Sequence, residues 1–169
     1  MRRARGFTLI ELLVVISVVA VTFGVALDRL TRYQELAERT AMEQNLAAIN
    51  VAVTMKFAAL VASGRAQMIE KEVGSNPARL LSRLPENYLG ELYAPELSTV
   101  RKESWYYDLR SGDFVYVPSR TRFLTFPKES VGNLRFRIVL MEADESPGAL
   151  KEIRQPHIRA VFPYQWGFE

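Results

Sequence analysis

Arg5-Gly6-Phe7-Thr8-Leu9-Ile10-Glu11-Leu12-Leu13-Val14-Val15-Ile16 is the stretch from which the rest of the chain is read. Ahead of it stand Arg2 and Arg3, with no acid among the first six residues. Behind it the apolar run continues to Leu27, and from Phe7 to Leu27 the one charged side chain is Glu11. As a helix at about 1.5 Å per residue this run extends roughly 31 Å, enough to cross a bilayer core. The arginines keep the amino terminus cytoplasmic and send the rest outward, by the excess of basic residues on the inner side of membrane spans.

A secretory signal has a shorter apolar part and is cut after it, at small residues. Here the small residue suited to cleavage is Gly6, in front of the apolar run. A cut at that point removes the arginines and leaves the helix attached to the mature chain. The new terminus is Phe7, and Glu11 lies four residues on, on the same helical face as the new amine. A carboxylate inside an apolar span costs on the order of 2.5–3.5 kcal/mol on insertion scales, so it requires a cationic partner. That partner is the Phe7 amine of the same chain or of a neighbouring copy.

At these residues the chain resembles the prepilin signal of type IV pilins and type II secretion pseudopilins. The resemblance is close over residues 5 to about 27 and extends in architecture over about the first 60. It implies cleavage between Gly6 and Phe7 by a prepilin peptidase, N-methylation of Phe7, and a role for Glu11 in aligning subunits as they leave the membrane for a filament. The implied partners are the peptidase, other pilin-like subunits, an inner-membrane assembly platform and the membrane lipid itself. A plain signal anchor with an incidental Glu11 is the bland alternative. Many family members carry a proline late in the apolar run; this chain has none there, and Gly24 is the weak point for a helix.

The whole chain has 169 residues, with 22 Lys and Arg against 19 Asp and Glu. Losing the three leader arginines makes the two counts equal, so no basic nucleic-acid patch is expected on the mature form. There is no cysteine. An exported domain is free to use disulfides, and many type IV pilins pin their C-terminal region with one; their absence favours a minor pseudopilin or minor pilin.

Asp28 to Ser63 contains neither proline nor glycine and continues the helix in amphipathic form. Met42, Leu46, Ile49, Val53, Phe57 and Leu60 recur at steps of three and four, a stripe that packs on the domain's own sheet. The charged half, Arg29 to Glu43, is assigned to contacts with neighbouring subunits. Ser63-Gly64 ends the helix. Arg65 to Val73 reads as an extra turn or short helix. Asn76 and Pro77 read as N-cap and first residue of a short helix through Leu84, halted by Pro85. Glu86 to Glu103 reads as a connecting loop. Trp105–Leu109 and Phe114–Val117 form a hairpin around Arg110-Ser111-Gly112-Asp113. Arg122–Phe126 is a third strand, Leu134–Met141 a half-buried one by its alternation, and His157–Phe162 a closing strand, with a turn at Asp144 to Gly148. The expected fold is therefore α+β: a long N-terminal helix packed on a small antiparallel sheet. Its parts are a leader (1–6), a membrane-spanning and filament-core helix (7–27), its amphipathic continuation (28–63), a short helix and variable loop (64–103), and a sheet region (104–169).

The residue inventory argues against an enzyme. His157 stands alone in a strand. Asp108 and Asp113 flank a turn, where aspartate serves local hydrogen bonding. Asp144 and Glu145 are two adjacent acids, too few for calcium, which takes about six to eight ligands. Trp105, Tyr106, Tyr107 and Tyr116 suit core and cross-strand pairing better than sugar or base stacking. No phosphate loop, nucleophile triad or zinc spacing is present, and no cofactor or metal is expected. The functional expectation is a structural, pilin-like subunit of the inner membrane, single-pass, with its C-terminal domain in the periplasm. The competing class is a membrane-anchored periplasmic protein whose domain binds a ligand or partner.

Overall fold

The helical pattern that begins at Leu9 is unbroken to Ala62, because nothing in those residues removes a backbone donor. This helix, α1 (Leu9–Ala62, 54 residues), is the first element of a computed structural model that describes residues 8–126, 130, 132–141 and 155–167. It ends where Gly64 takes a left-handed backbone conformation (φ +69°) and the Arg65 N–H donates to Leu60 O at 2.8 Å. The chain divides into two units, Met1–Ala37 and Glu38–Glu169.

In the first unit, the described residues are helical from Leu9, and the large apolar side chains from Leu9 to Leu36 are exposed. Gly24 does not interrupt the helix. The hydroxyls of Ser17 and Thr22 donate to the carbonyls of Leu13 and Val18, each at 2.8 Å, so these polar groups are satisfied within the helix.

In the second unit the remainder of α1 packs on a five-stranded sheet of order β1-β2-β3-β5-β6. The strands are β1 (Tyr88–Leu92), β2 (Ser104–Asp108), β3 (Asp113–Val117), β5 (Leu134–Leu140) and β6 (Pro156–Ala160). β4 (Leu124–Thr125) and β7 (Gln165–Trp166) form a separate two-stranded sheet. The expected stripe is the helical side of the core. Met42, Ile49, Val53, Phe57 and Leu60 are buried, and Leu46 packs against them. Opposite Met42, Ile49 and Val53 lie Trp105, Phe114, Tyr116, Leu134, Phe136 and Ile138, while Phe57 and Leu60 pack with Ile69 and Leu140. Trp105 stacks on Phe114 with ring centroids 4.8 Å apart and meets Tyr116 at 4.7 Å, which places the aromatic hairpin in the core as expected. On the other face of β2 and β3, Tyr106, Val115 and Val117 are covered by Val100, with Leu92 and Leu97 packed alongside. Both faces of this hairpin are therefore buried.

The α+β class, the stripe and the hairpin match the sequence reading; several details do not. Tyr88–Leu92, assigned to a loop, is an edge strand, and it runs parallel to β2. Its register slips between Tyr88 and Glu91, where Gly90 adopts φ +94°. The helix expected through Leu84 is a 3-10 turn of four residues, Pro77–Leu80. Asn76 caps it, its Oδ1 accepting from the Ala78 N–H at 3.0 Å. It stops early because Leu80 and Leu81 both turn onto the core, and Leu81 is extended. The third strand shrinks to two residues and leaves the main sheet for β7, which the sequence did not reveal. The proposed turn at Asp144 to Gly148 lies outside the described residues.

Candidate functional site

The amino-terminal site is built on one helix end. Thr8 precedes α1, and its Oγ1 accepts from the Glu11 N–H at 3.3 Å. Thr8 is thus the N-cap, satisfying one of the donors that the first turn leaves without a helical partner. Glu11 falls in that first turn, where a carboxylate faces the positive end of the helix dipole. Glu11 is exposed, as are Leu9, Ile10, Leu12 and Leu13 around it. The acid therefore stands on an apolar surface that carries no other charge down to Asp28. Gly6 and Phe7, the expected cleavage pair, lie outside the described residues.

Thr8 was missed as a functional position, although Thr8-Leu9-Ile10-Glu11 carries the spacing of a capping box, a recognisable signal. α1 is long and apolar enough at its amino-terminal end to cross a membrane.

Beyond this helix end, two charge networks occupy the second unit. Glu38, in the stretch assigned to neighbouring subunits, is turned inward instead. Its carboxylate accepts from the Tyr116 hydroxyl at 3.1 Å, from the Ser119 N–H at 2.7 Å and from the Arg120 N–H at 3.2 Å. Arg120 Nη1 lies 3.5 Å from Glu38 Oε2 and 2.6 Å from Glu103 Oε1. Burial first, and then the Glu38 carboxylate, push the Tyr116 phenol far above its ordinary range, so it stays a donor. Arg39 and Glu43 form an ion pair one turn apart, at 2.8 Å.

The second network surrounds the hairpin turn. Asp108 accepts from the N–H groups of Arg110 (3.0 Å) and Ala94 (3.2 Å) and from the Ser111 hydroxyl (3.0 Å), the local role expected of it. Burial alone would raise its carboxyl, but these donors, with Arg135 nearby, hold it below the usual carboxylate range. Asp113 is buried between Arg135 and Arg137. His157 sits on β6 opposite Val139, and its buried Nδ1 has no hydrogen-bond partner among the described residues. Among the described residues no group of three or more His, Asp or Glu is placed to hold a metal ion. The structure does not bring Trp105, Tyr106, Tyr107 and Tyr116 together as an open stacking platform; all four are buried.

Residues 1–27 match the family model for the prokaryotic N-terminal methylation motif. The chain thus carries the prepilin-type signal of type IV pilins and pseudopilins, and with it a pilin-like amino terminus. No curated protein and no solved structure matches the chain.

Proposed function

We propose that this chain is a minor pseudopilin or minor pilin, a structural subunit without catalytic activity. It is inserted with its arginines in the cytoplasm, cut between Gly6 and Phe7 by a prepilin peptidase, and methylated on Phe7. An inner-membrane assembly platform then draws it into a filament with other pilin-like subunits, the rest of the chain lying in the periplasm. Residues 7–27 form the filament core, 28–63 link it to the head, and the sheet region is the head itself.

The observation that carries this reading is the junction at residues 5–11. A basic leader is followed at once by a capped helix that is apolar as far as Leu27 apart from one acid, Glu11, in its first turn. Such an acid is costly in lipid and is relieved by the amine that cleavage creates. The motif over residues 1–27 supports the same processing.

Co-expression with a prepilin peptidase tests it. The mature protein is expected to lose the mass of Met1–Gly6 and gain that of one methyl group, and Gly6→Ala is expected to suppress both changes. A chain that keeps its leader in the presence of active peptidase would overturn the proposal in favour of an anchored periplasmic binding protein.

A further inference from the structure

The outer face of the main sheet, away from α1, is covered over β2 and β3 by Leu97 and Val100. Over β5 and β6 the same face carries Arg135, Arg137 and Arg159. Arg137 and Arg159 stand directly opposite each other in the antiparallel pair, a register in which like charges repel.

The three guanidinium groups are not equally engaged. Arg137 donates to Asp113 Oδ1 from Nε at 2.9 Å and from Nη2 at 2.6 Å, and Nη2 also reaches the Ser111 carbonyl at 2.9 Å. Arg135 Nη1 donates to Asp113 Oδ2 at 3.3 Å and to Ser111 Oγ at 3.1 Å, and lies 3.6 Å from Asp108 Oδ2. Arg159 is exposed, and its side chain makes no hydrogen bond or ion pair with the other described residues. Among the described residues, two buried carboxylates therefore answer three guanidiniums, and the excess charge rests on Arg159. Beside it runs a trough of about 480 Å³ lined by Arg137, Val139, Arg159, Ala160, Val161 and Pro163.

We propose that this trough binds a glutamate or aspartate side chain carried on an apolar polypeptide segment of a partner protein. Arg159 pairs with the carboxylate, and Val139, Val161 and Pro163 receive the apolar side chains beside it. An anion placed at Arg159 also relieves the repulsion from Arg137. One unspent cation matches one carboxylate. A nucleic-acid backbone is held by a row of unspent cations, and here Arg135 and Arg137 are already committed to Asp108 and Asp113. Inorganic phosphate would leave the apolar walls unused. The inference does not depend on the filament reading.

The test uses the full chain in detergent with ¹⁵N-labelled arginine, following the side-chain Nε–H signals of Arg137 and Arg159. The probes are an end-capped Leu-Glu-Leu peptide, its Leu-Gln-Leu counterpart, inorganic phosphate and a short single-stranded DNA. The glutamate peptide is expected to shift the Arg159 signal saturably. The glutamine peptide is expected to bind about two- to fivefold more weakly, the scale of an exposed ion pair. Arg159→Gln, at an exposed position, is expected to fold and to lose the discrimination between the two peptides, with Arg159→Lys retaining part of it. The proposal is overturned by no saturable shift with the glutamate peptide, by equal binding of both peptides, or by discrimination that survives in Arg159→Gln. It is equally overturned if phosphate or DNA binds more tightly than the glutamate peptide.

Discussion

At Glu38 one buried carboxylate gathers a phenol, two successive backbone N–H groups and a guanidinium. Removing it takes the acceptor from the buried Tyr116 hydroxyl and from the half-buried Ser119 and Arg120 N–H groups, which costs more than the net gain from forming the bonds, while the Arg120 guanidinium keeps Glu103. Glu38→Ala is expected to destabilise the domain by about 2–4 kcal/mol, and Glu38→Gln by less, as read by thermal unfolding in detergent. Asp108 makes a prediction about pH. Its folded carboxyl titrates below the ordinary range of about 3.9, so it binds a proton less readily folded than unfolded. Its contribution is complete above that range and is lost as pH falls through the lower, folded value. Melting temperature is therefore expected to fall more steeply below about pH 4 in the parent chain than in Asp108→Asn. At this scale the sequence was half legible. The turn role of Asp108 follows from its place beside Ser111-Gly112. The inward turn of Glu38 does not, because its partners lie some 80 residues further along the chain and no local spacing announces them.

Among elements, α1 was the most legible, since a 3.6-residue period shows which side is buried once a sheet is available to cover it. Ile49 is fully buried and Met55 is 68% exposed on the same helix. Ile49→Ala is expected to cost about 2–5 kcal/mol, whereas Met55→Ala stays within about 0.5 kcal/mol, by chemical denaturation of the two variants side by side. Loss of equal size from both would mean that the stripe is not the buried face. The short elements were much less legible. β1 contains Gly90 and is followed by Pro95, both loop signals, and its strand character comes from pairing with β2 rather than from its own residues. β4 and β7 are two residues each and exist as strands through the Leu124–Trp166 and Thr125–Gln165 pairs, which link positions about forty apart in sequence.

For the whole molecule, the proposed removal of the leader would leave equal numbers of acids and bases, so self-repulsion would not oppose bringing copies together. In the proposed filament, their alignment is assigned to Glu11. Glu11→Ala is expected to leave membrane insertion and cleavage at Gly6 largely intact while blocking incorporation into filaments, as read by fractionation and by shearing. Normal incorporation of that variant would contradict the alignment role. The prepilin-type signal over residues 1–27 was legible because it is a contiguous motif, whereas the Thr8 cap required the helix geometry to be seen. The arginines of the outer sheet face were legible as alternating residues of a strand. Their division into committed and uncommitted charges was not, because it depends on which of them reach Asp113.

The tie between α1 and the last strand of the main sheet has a consequence for how copies join. The Asn50 Oδ1 accepts from the Ile158 N–H at 3.3 Å, so that donor points away from β5. Alternate residues of an antiparallel strand direct their amides to the same side, and of the three so directed on β6, Pro156 has none and Ile158 is occupied. Among the described residues, that leaves the Ala160 N–H. A foreign chain seeking to extend the sheet at this border meets carbonyls but few donors, so uncontrolled fibril growth is discouraged there.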